Sequence, residues 1–202
     1  MSDKVLLASS NQGKLAEFIA LANSASHANP RLQLALLPGF ASLPAFDENA
    51  ATFAENATGK ALHYSQLVAG RILADDSGLV VPALGGAPGV RSARYAGPHA
   101  TSEQRNNKLL DEMRDLTGDQ RRAYFVCVLA LAEKGRPVAV ISARSNGEIL
   151  PAPRGAAGFG YDPIFYIHEL NKTFAELTSV EKNQWSHRGQ AFCRLASVME
   201  KH

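Results

Sequence analysis

The sequence predicts an α/β chain, a mixed sheet with flanking helices, and three local signals carry that prediction. The first is a strand–helix–strand start. Val5–Ala8 is an apolar strand, and Leu15, Phe18, Ile19 and Ala22 give the following helix one apolar face. Leu32–Leu37 is a second apolar strand, so the connection reads as a right-handed parallel crossover. The second signal is a set of capping boxes. Thr52-Phe53-Ala54-Glu55 opens a helix to about Val68, Thr101-Ser102-Glu103-Gln104 opens a polar one to about Met113, and Thr178-Ser179-Val180-Glu181 can open a third. The third is a hairpin, because Ala123–Ala132 and Pro137–Arg144 are apolar runs joined through Lys134-Gly135.

The remaining elements follow from the same rules. Arg71-Ile72-Leu73-Ala74 reads as a short buried strand, Asp75-Asp76 as its acidic end and Ser77-Gly78 as a turn, with Leu79–Leu84 a further strand. Should the extended conformation reach the two acids, alternation points them to opposite faces. A strand near Pro163–Ile167 precedes the last helices, and Ser186 caps the final one, whose apolar face is Phe192, Leu195, Val198 and Met199. No repeat or linker interrupts residues 1–202, which read as a single domain or two closely joined lobes.

Composition bounds the function. The chain is 46% hydrophobic and 20% charged, with 21 basic against 19 acidic residues and a net charge of +2. That balance points to no polyanionic partner such as nucleic acid. Cys127 and Cys193 both read as buried thiols of a reducing compartment. Val5-Leu6-Leu7-Ala8 is too short for a signal-peptide core, and the run 123–132 falls far below a membrane span. The expectation is a cytoplasmic protein with no membrane partner.

Four constellations can carry chemistry. Ser9-Ser10-Asn11-Gln12-Gly13-Lys14 joins a strand end to a helix start, where amides and the helix dipole attract phosphate; a plain cap by Ser10 or Asn11 explains the same residues. The carboxylates Asp47, Glu48, Asp75, Asp76 and Asp162 offer oxygen ligands, and magnesium needs only one or two besides substrate phosphates. Zinc is disfavoured, because no HxxxH or CxxC spacing occurs. Gly155-Ala156-Ala157-Gly158-Phe159-Gly160-Tyr161-Asp162-Pro163 combines close-approach glycines, flat rings and a fixed acceptor, which suits a base as well as it suits a tight loop anchored in the core. Lys182 and the pair His187-Arg188 place positive charge where a helix start disfavours it, which hints at an anionic or electron-rich ligand.

Six segments in this order resemble the inosine/xanthosine triphosphate pyrophosphatase family: residues 9–14; Phe53-Ala54-Glu55-Asn56-Ala57 with Lys60; Ala74-Asp75-Asp76-Ser77-Gly78-Leu79; Gly85–Gly89 with Ser92-Ala93-Arg94-Tyr95; Gly158–Phe165; and Ser186-His187-Arg188-Gly189-Gln190-Ala191. The resemblance implies an elongated α/β fold with two lobes enclosing a central nucleotide cleft, and a homodimer. It implies magnesium-dependent hydrolysis of a non-standard purine nucleoside triphosphate (ITP, dITP or XTP) to monophosphate and pyrophosphate. Carried over by position, Asp76 is the general base, and Glu48 and Asp76 face the metal. Ser9, Ser10, Asn11, Gln12, Gly13, Lys14, Lys60 and Ser77 contact phosphate. Phe159 stacks on the base, and Gly160, Tyr161, Asp162, Lys182, His187 and Arg188 complete its pocket. Thr58-Gly59 sets a glycine inside the helix that carries Lys60.

The chemistry agrees. Phosphoryl chemistry needs positioning and charge neutralisation more than covalent help. Lys182 and Arg188 are donors that suit a 6-oxo purine, whereas the 6-amino group of adenine would leave them unpaired. Three rivals remain: a relative acting on modified pyrimidine nucleotides, a non-catalytic nucleotide-binding module, and a serine hydrolase using Ser77 and His187. The last lacks a GxSxG elbow.

Overall fold

The computed structural model describes residues 3–28 and 32–200. Its strands are β1 (Asp3–Leu7), β2 (Leu32–Leu36), β3 (Arg71–Val80), β4 (Arg122–Glu133), β5 (Arg136–Ile149), β6 (Phe165–Ile167) and β7 (Lys172–Thr173). Its α-helices are α1 (Gln12–Ala28), α2 (Phe53–Leu67), α3 (Ser102–Glu112), α4 (Ser179–Trp185) and α5 (His187–Met199). The strands form one sheet in the order β2-β1-β3-β4-β5-β6-β7. Both β2 and β3 run parallel to β1, with Val5 opposite Leu34 and Arg71 in the two registers. The pairs β5–β6 and β6–β7 are antiparallel, so the sheet is mixed as the sequence predicts.

The chain divides into two compact units. Unit 1 comprises residues 1–76, 127–143 and 187–202; unit 2 comprises 77–126 and 144–186. In unit 1, Val5, Leu7 and Leu73 of the sheet pack with Leu15, Phe18, Leu21 and Ala22 of α1 and with Phe192, Leu195 and Met199 of α5. In unit 2, Leu79, Phe125, Ile149, Phe165 and Phe174 pack with Leu109 and Met113 of α3 and its C-cap. All three sequence-predicted capping boxes are present, at Thr52, Thr101 and Thr178. Lys134 and Gly135 both take positive φ, as a two-residue hairpin turn requires.

Four expectations need correction. The acidic run is not a strand end: β3 continues from Arg71 through Asp75, Asp76, Ser77 and Gly78 to Val80. Ladder pairing overrides the turn tendency of Ser-Gly, and both acids are buried against side-chain partners, Lys14 for Asp75 and Asn56 for Asp76. Residues 79–84 are not a strand throughout, since a 3-10 turn at Pro82–Leu84 ends it where proline has no N–H to give the ladder. On α1 it is Leu21 that is buried, while Ile19 is 46% exposed at the edge of the apolar stripe. Cys193 is exposed, unlike Cys127, because the core positions of α5 are Phe192, Leu195 and Met199 and residue 193 turns away from them.

Two glycines are required by space. At Gly59 a Cβ would stand 2.6 Å from the Phe46 ring, so the glycine inside α2 is where that ring packs. At Gly147 on β5 it would stand 2.4 Å from the Tyr166 carbonyl oxygen and 2.8 Å from the Phe165 ring. Backbone cannot move aside as a side-chain tip can. Gly147→Ala should therefore destabilise the protein by about 1–3 kcal/mol, read as a fall of several degrees in the thermal unfolding midpoint.

Candidate active site

The polar centre of unit 1 is built on β3. Alternation sends Leu73 and Asp75 towards α1 and α5, and Asp76 towards α2, the opposite-face arrangement expected of an extended chain. Asp75 is fully buried and its Oδ2 lies 2.7 Å from Lys14 Nζ. Burial opposes its ionisation, but the nearby charges of Lys14, Lys60 and Arg188 prevail and hold the carboxyl well below the usual carboxylate range. Lys14 is thus a sequence-predicted phosphate contact tied to a neighbouring acid.

Asp76 behaves in the opposite way. Burial pushes its pKa up to about 6, helped by the charges of Glu48 and Asp75 and opposed by Asn56 and Lys14. Asn56 Nδ2 donates to Asp76 Oδ2 at 2.9 Å, while Asn56 Oδ1 accepts from the Ala50 amide at 3.0 Å. One turn further along α2, Lys60 Nζ reaches Glu48 Oε1 at 2.7 Å and the Asp75 carbonyl at 3.3 Å. Desolvation alone would lower the Lys60 pKa, but Asp75 and Glu48 raise it. Asn56 belongs to one of the six motifs but is not among the site residues that the sequence singles out. Its signal was a polar residue in a helix interior, four positions before a lysine.

The loop before α1 serves as a cap. Asn11 Oδ1 accepts from the Lys14 amide at 3.0 Å, and the buried Ser9 hydroxyl accepts from the Asn11 amide at 3.3 Å. Capping by Asn11 does not consume the Gln12 and Gly13 amides, which have no carbonyl one turn back inside α1. Cap and anion cradle are therefore compatible. Ser10, Asn11 and Gln12 are exposed, and Ser77 is half-buried beside Asp76.

His187 and Arg188 open α5 in unit 1, and both are buried. The Arg188 guanidinium pairs with Glu17 of α1 and lies 5.7 Å from the Phe18 ring. Burial would lower its pKa, but Glu17 and Asp75 raise it. The structure thus brings Arg188 together with Asp75 and Glu17.

Unit 2 holds the aromatic loop. Asp162 Oδ2 accepts from the Phe159 amide at 2.7 Å and from Lys182 Nζ at 2.5 Å. Lys182 also lies 5.0 Å from the Phe159 ring and 5.8 Å from the Phe174 ring, so its ammonium is fixed by a carboxylate and two π faces. Phe159 is half-buried, whereas the Tyr161 ring is buried in the unit 2 core and its hydroxyl donates to the Ser92 carbonyl at 3.0 Å. Gly158 has φ +77°, and a Cβ there would stand 2.1 Å from Asp162 Oδ2. No other residue fits that position.

Among the described residues no three His, Cys, Asp or Glu side chains converge as a metal cluster. Glu48 and Asp76 nevertheless fit a hard divalent cation: both offer oxygen, and Glu48 is close enough to raise the Asp76 pKa. Asp162 is committed to Lys182 and Phe159, and Asp47 is exposed.

A sequence model of the Ham1 family matches residues 5–198. This chain belongs to the Ham1 family. Among its relatives, a protein of Geobacillus kaustophilus named dITP/XTP pyrophosphatase is 46% identical, covering 98% of this chain and 95% of its own. One of the same name from Vibrio cholerae is 44% identical over 98% and 97%. Among solved structures, a HAM1 protein from Coxiella burnetii aligns over 100% of both chains with a TM-score of 0.87 and 40% identity. The Staphylococcus aureus Ham1 protein aligns over 98% of both with a TM-score of 0.85 and 36% identity. The Ham1 fold is therefore shared across the whole chain, as the six motifs implied.

The two adjacent acids of this Ham1 chain should respond oppositely to neutralisation. Asp75→Asn leaves Lys14, Lys60 and Arg188 without their central anion and should cost about 3–5 kcal/mol. Because the Asp75 pKa is depressed, that stability is present above about pH 4 and lost as the pH falls through the still lower folded-state pKa. For Asp76 the folded pKa is raised from 3.8 to about 6, so its charge opposes folding increasingly as the pH climbs between those values. Without divalent cations, Asp76→Asn should be more stable than the parent at pH 8, by at most roughly 3 kcal/mol, and no more stable at pH 4. Thermal unfolding in chelator at both pH values measures each effect.

Proposed function

We propose that this Ham1-family chain hydrolyses non-standard purine nucleoside triphosphates (ITP, dITP and XTP) at the bond between the α and β phosphates. The products are the nucleoside monophosphate and pyrophosphate. The observation that carries the reading is the arrangement on β3 and α2: a carboxylate poised at about pH 6, beside a second acid and two lysines. The printed names of the relatives supply the substrate class.

Asp76, ionised above pH 6, takes the proton of the attacking water as the new phosphorus–oxygen bond forms and the bond to the departing pyrophosphate breaks. Asn56 fixes the orientation of that carboxylate. Lys14 and the amides of Gln12 and Gly13 meet phosphate charge, with Ser9, Ser10, Asn11, Lys60 and Ser77 as the further phosphate contacts. Glu48 and Asp76 would hold a magnesium ion, which would offset phosphate charge and lower the pKa of water. Phe159 stacks on the base. Lys182 presents a donor to its 6-oxo group, and Gly160, Tyr161, Asp162, His187 and Arg188 support base selection. The enzyme works as a homodimer on the cytoplasmic nucleotide pool, where Cys127 and Cys193 as free thiols suit a reducing compartment.

A substrate panel with magnesium tests the reading. ITP, dITP and XTP should turn over with kcat/KM at least about 100-fold above that of ATP, because a 6-amino group cannot accept a hydrogen bond from Lys182. Asp76→Asn should lose on the order of 100-fold or more in kcat. Equal rates on ATP and ITP would remove the base-selection argument, and activity retained in Asp76→Asn would remove the base.

A further inference from the structure

The irregular segment that carries Phe159 is held from outside by one helix. The Gly160 amide donates to Ser102 Oγ at 3.3 Å, and the Gly160 carbonyl accepts from Asn106 Nδ2 at 3.2 Å. Ser102 and Asn106 are four residues apart on α3, so a single helix face grips both polar atoms of one residue. On one side of Gly160, Phe159 donates its amide to Asp162, and on the other the Tyr161 hydroxyl is tied to Ser92. Gly160 itself has φ +64° with open space where a Cβ would be, so no packing at its α-carbon adds to that grip. Without the grip from α3, a segment with glycine at 158 and 160 would sample many conformations.

The pattern of α3 shows that this grip is more than packing. The inward stripe of the helix and its cap runs Ser102, Asn106, Leu109, Met113, and the last two lie fully buried in the unit 2 core. Asn106 occupies a core position at 5% exposure. Its Oδ1 is buried with no hydrogen-bond partner, a cost that the amide incurs at this position. The chain carries an amide at a core position, and the bond it makes goes to the loop bearing Phe159. Ser102 Oγ is itself held by Arg105 Nη2 at 2.9 Å, and Arg105 is anchored on the Ala93 and Ala100 carbonyls.

We infer that Ser102 and Asn106 are positioning residues for base selection: by fixing Gly160 they set the Phe159 ring and the Lys182 ammonium in one arrangement before substrate arrives. The inference rests on the proposed purine pyrophosphatase reading and deepens it. Neither residue is among the phosphate contacts or the acids of the proposed hydrolytic step. Their removal therefore loosens base recognition and leaves the chemical step intact, because pre-organisation is felt in binding.

The test uses the full chain with two variants, Asn106→Leu and Ser102→Ala. Asn106→Leu keeps the branching at Cγ, adds apolar bulk and removes the donor, and its thermal midpoint should fall by no more than a few degrees. Backbone amide exchange across residues 156–164 should quicken by about tenfold or more in either variant, a readout that needs no substrate. With ITP, KM should rise on the order of tenfold while kcat stays within about twofold, and the preference for ITP over ATP should fall about 5–10-fold. Exchange and KM both unchanged in a folded Asn106→Leu overturn the inference, as does a loss confined to kcat. Should Asn106→Leu fail to fold, Ser102→Ala carries the same readouts. A wild type that does not prefer ITP over ATP overturns the purine reading itself, which separates that failure from one seen only in the variants.

Discussion

The buried anion of Asp75 is the constraint around which unit 1 is organised. It has no exposed surface and stands among three cations from three helices: Lys14 of α1, Lys60 of α2 and Arg188 of α5. Each of these helices has an apolar face that could dock on the sheet in several nearly equivalent ways. Ionic pairing at a point in the low-dielectric interior removes that freedom, since a misplaced helix would bury an uncompensated charge. The cost of desolvating Asp75 is thus tied to register, and the loop before α1, the α2 face and the start of α5 are all fixed relative to one residue of β3.

Asp76, the very next residue, is left less well compensated. Burial, reinforced by the charges of Glu48 and Asp75, outweighs the help of Asn56 and Lys14, so it ionises reluctantly. Adjacent residues of one strand therefore hold opposite electrostatic roles because pleating sends them to different helices. Such division between a carboxylate held well below its usual pKa and a neighbour pushed above it is the arrangement expected where two adjacent acids serve different ends.

Much of this was legible in the sequence. The capping boxes located α2, α3 and α4 because reciprocal side-chain and backbone bonds are local chemistry that tertiary context seldom overrides. The Lys134-Gly135 hairpin and the parallel start were legible for the same reason. The acidic run was not, because Ser-Gly favours a turn only when no neighbouring strand offers ladder partners, and those partners lie far away in the chain. The distribution of Arg188 between Glu17 and Asp75 depends on the docking of α5 against α1, and no local pattern encodes that. Asn56 and Asn106 were both visible as polar residues inside helices, but what they hold, Asp76 and Gly160, emerges only from packing. Cys193 was misplaced because a helix face read from a few apolar residues carries an angular error of about one position.

Asn56 and Lys60 sit one helical turn apart on α2, the first bound to Asp76 and the second to Glu48. Two acids from a loop and a strand are thereby referred to a common rigid gauge whose division is the helix pitch of about 5.4 Å. Side chains can swing and loops can breathe, but a helical turn does not stretch. The relative placement of two acids that lie far apart in the chain is therefore referred to the backbone of α2, a helix that contributes neither of them.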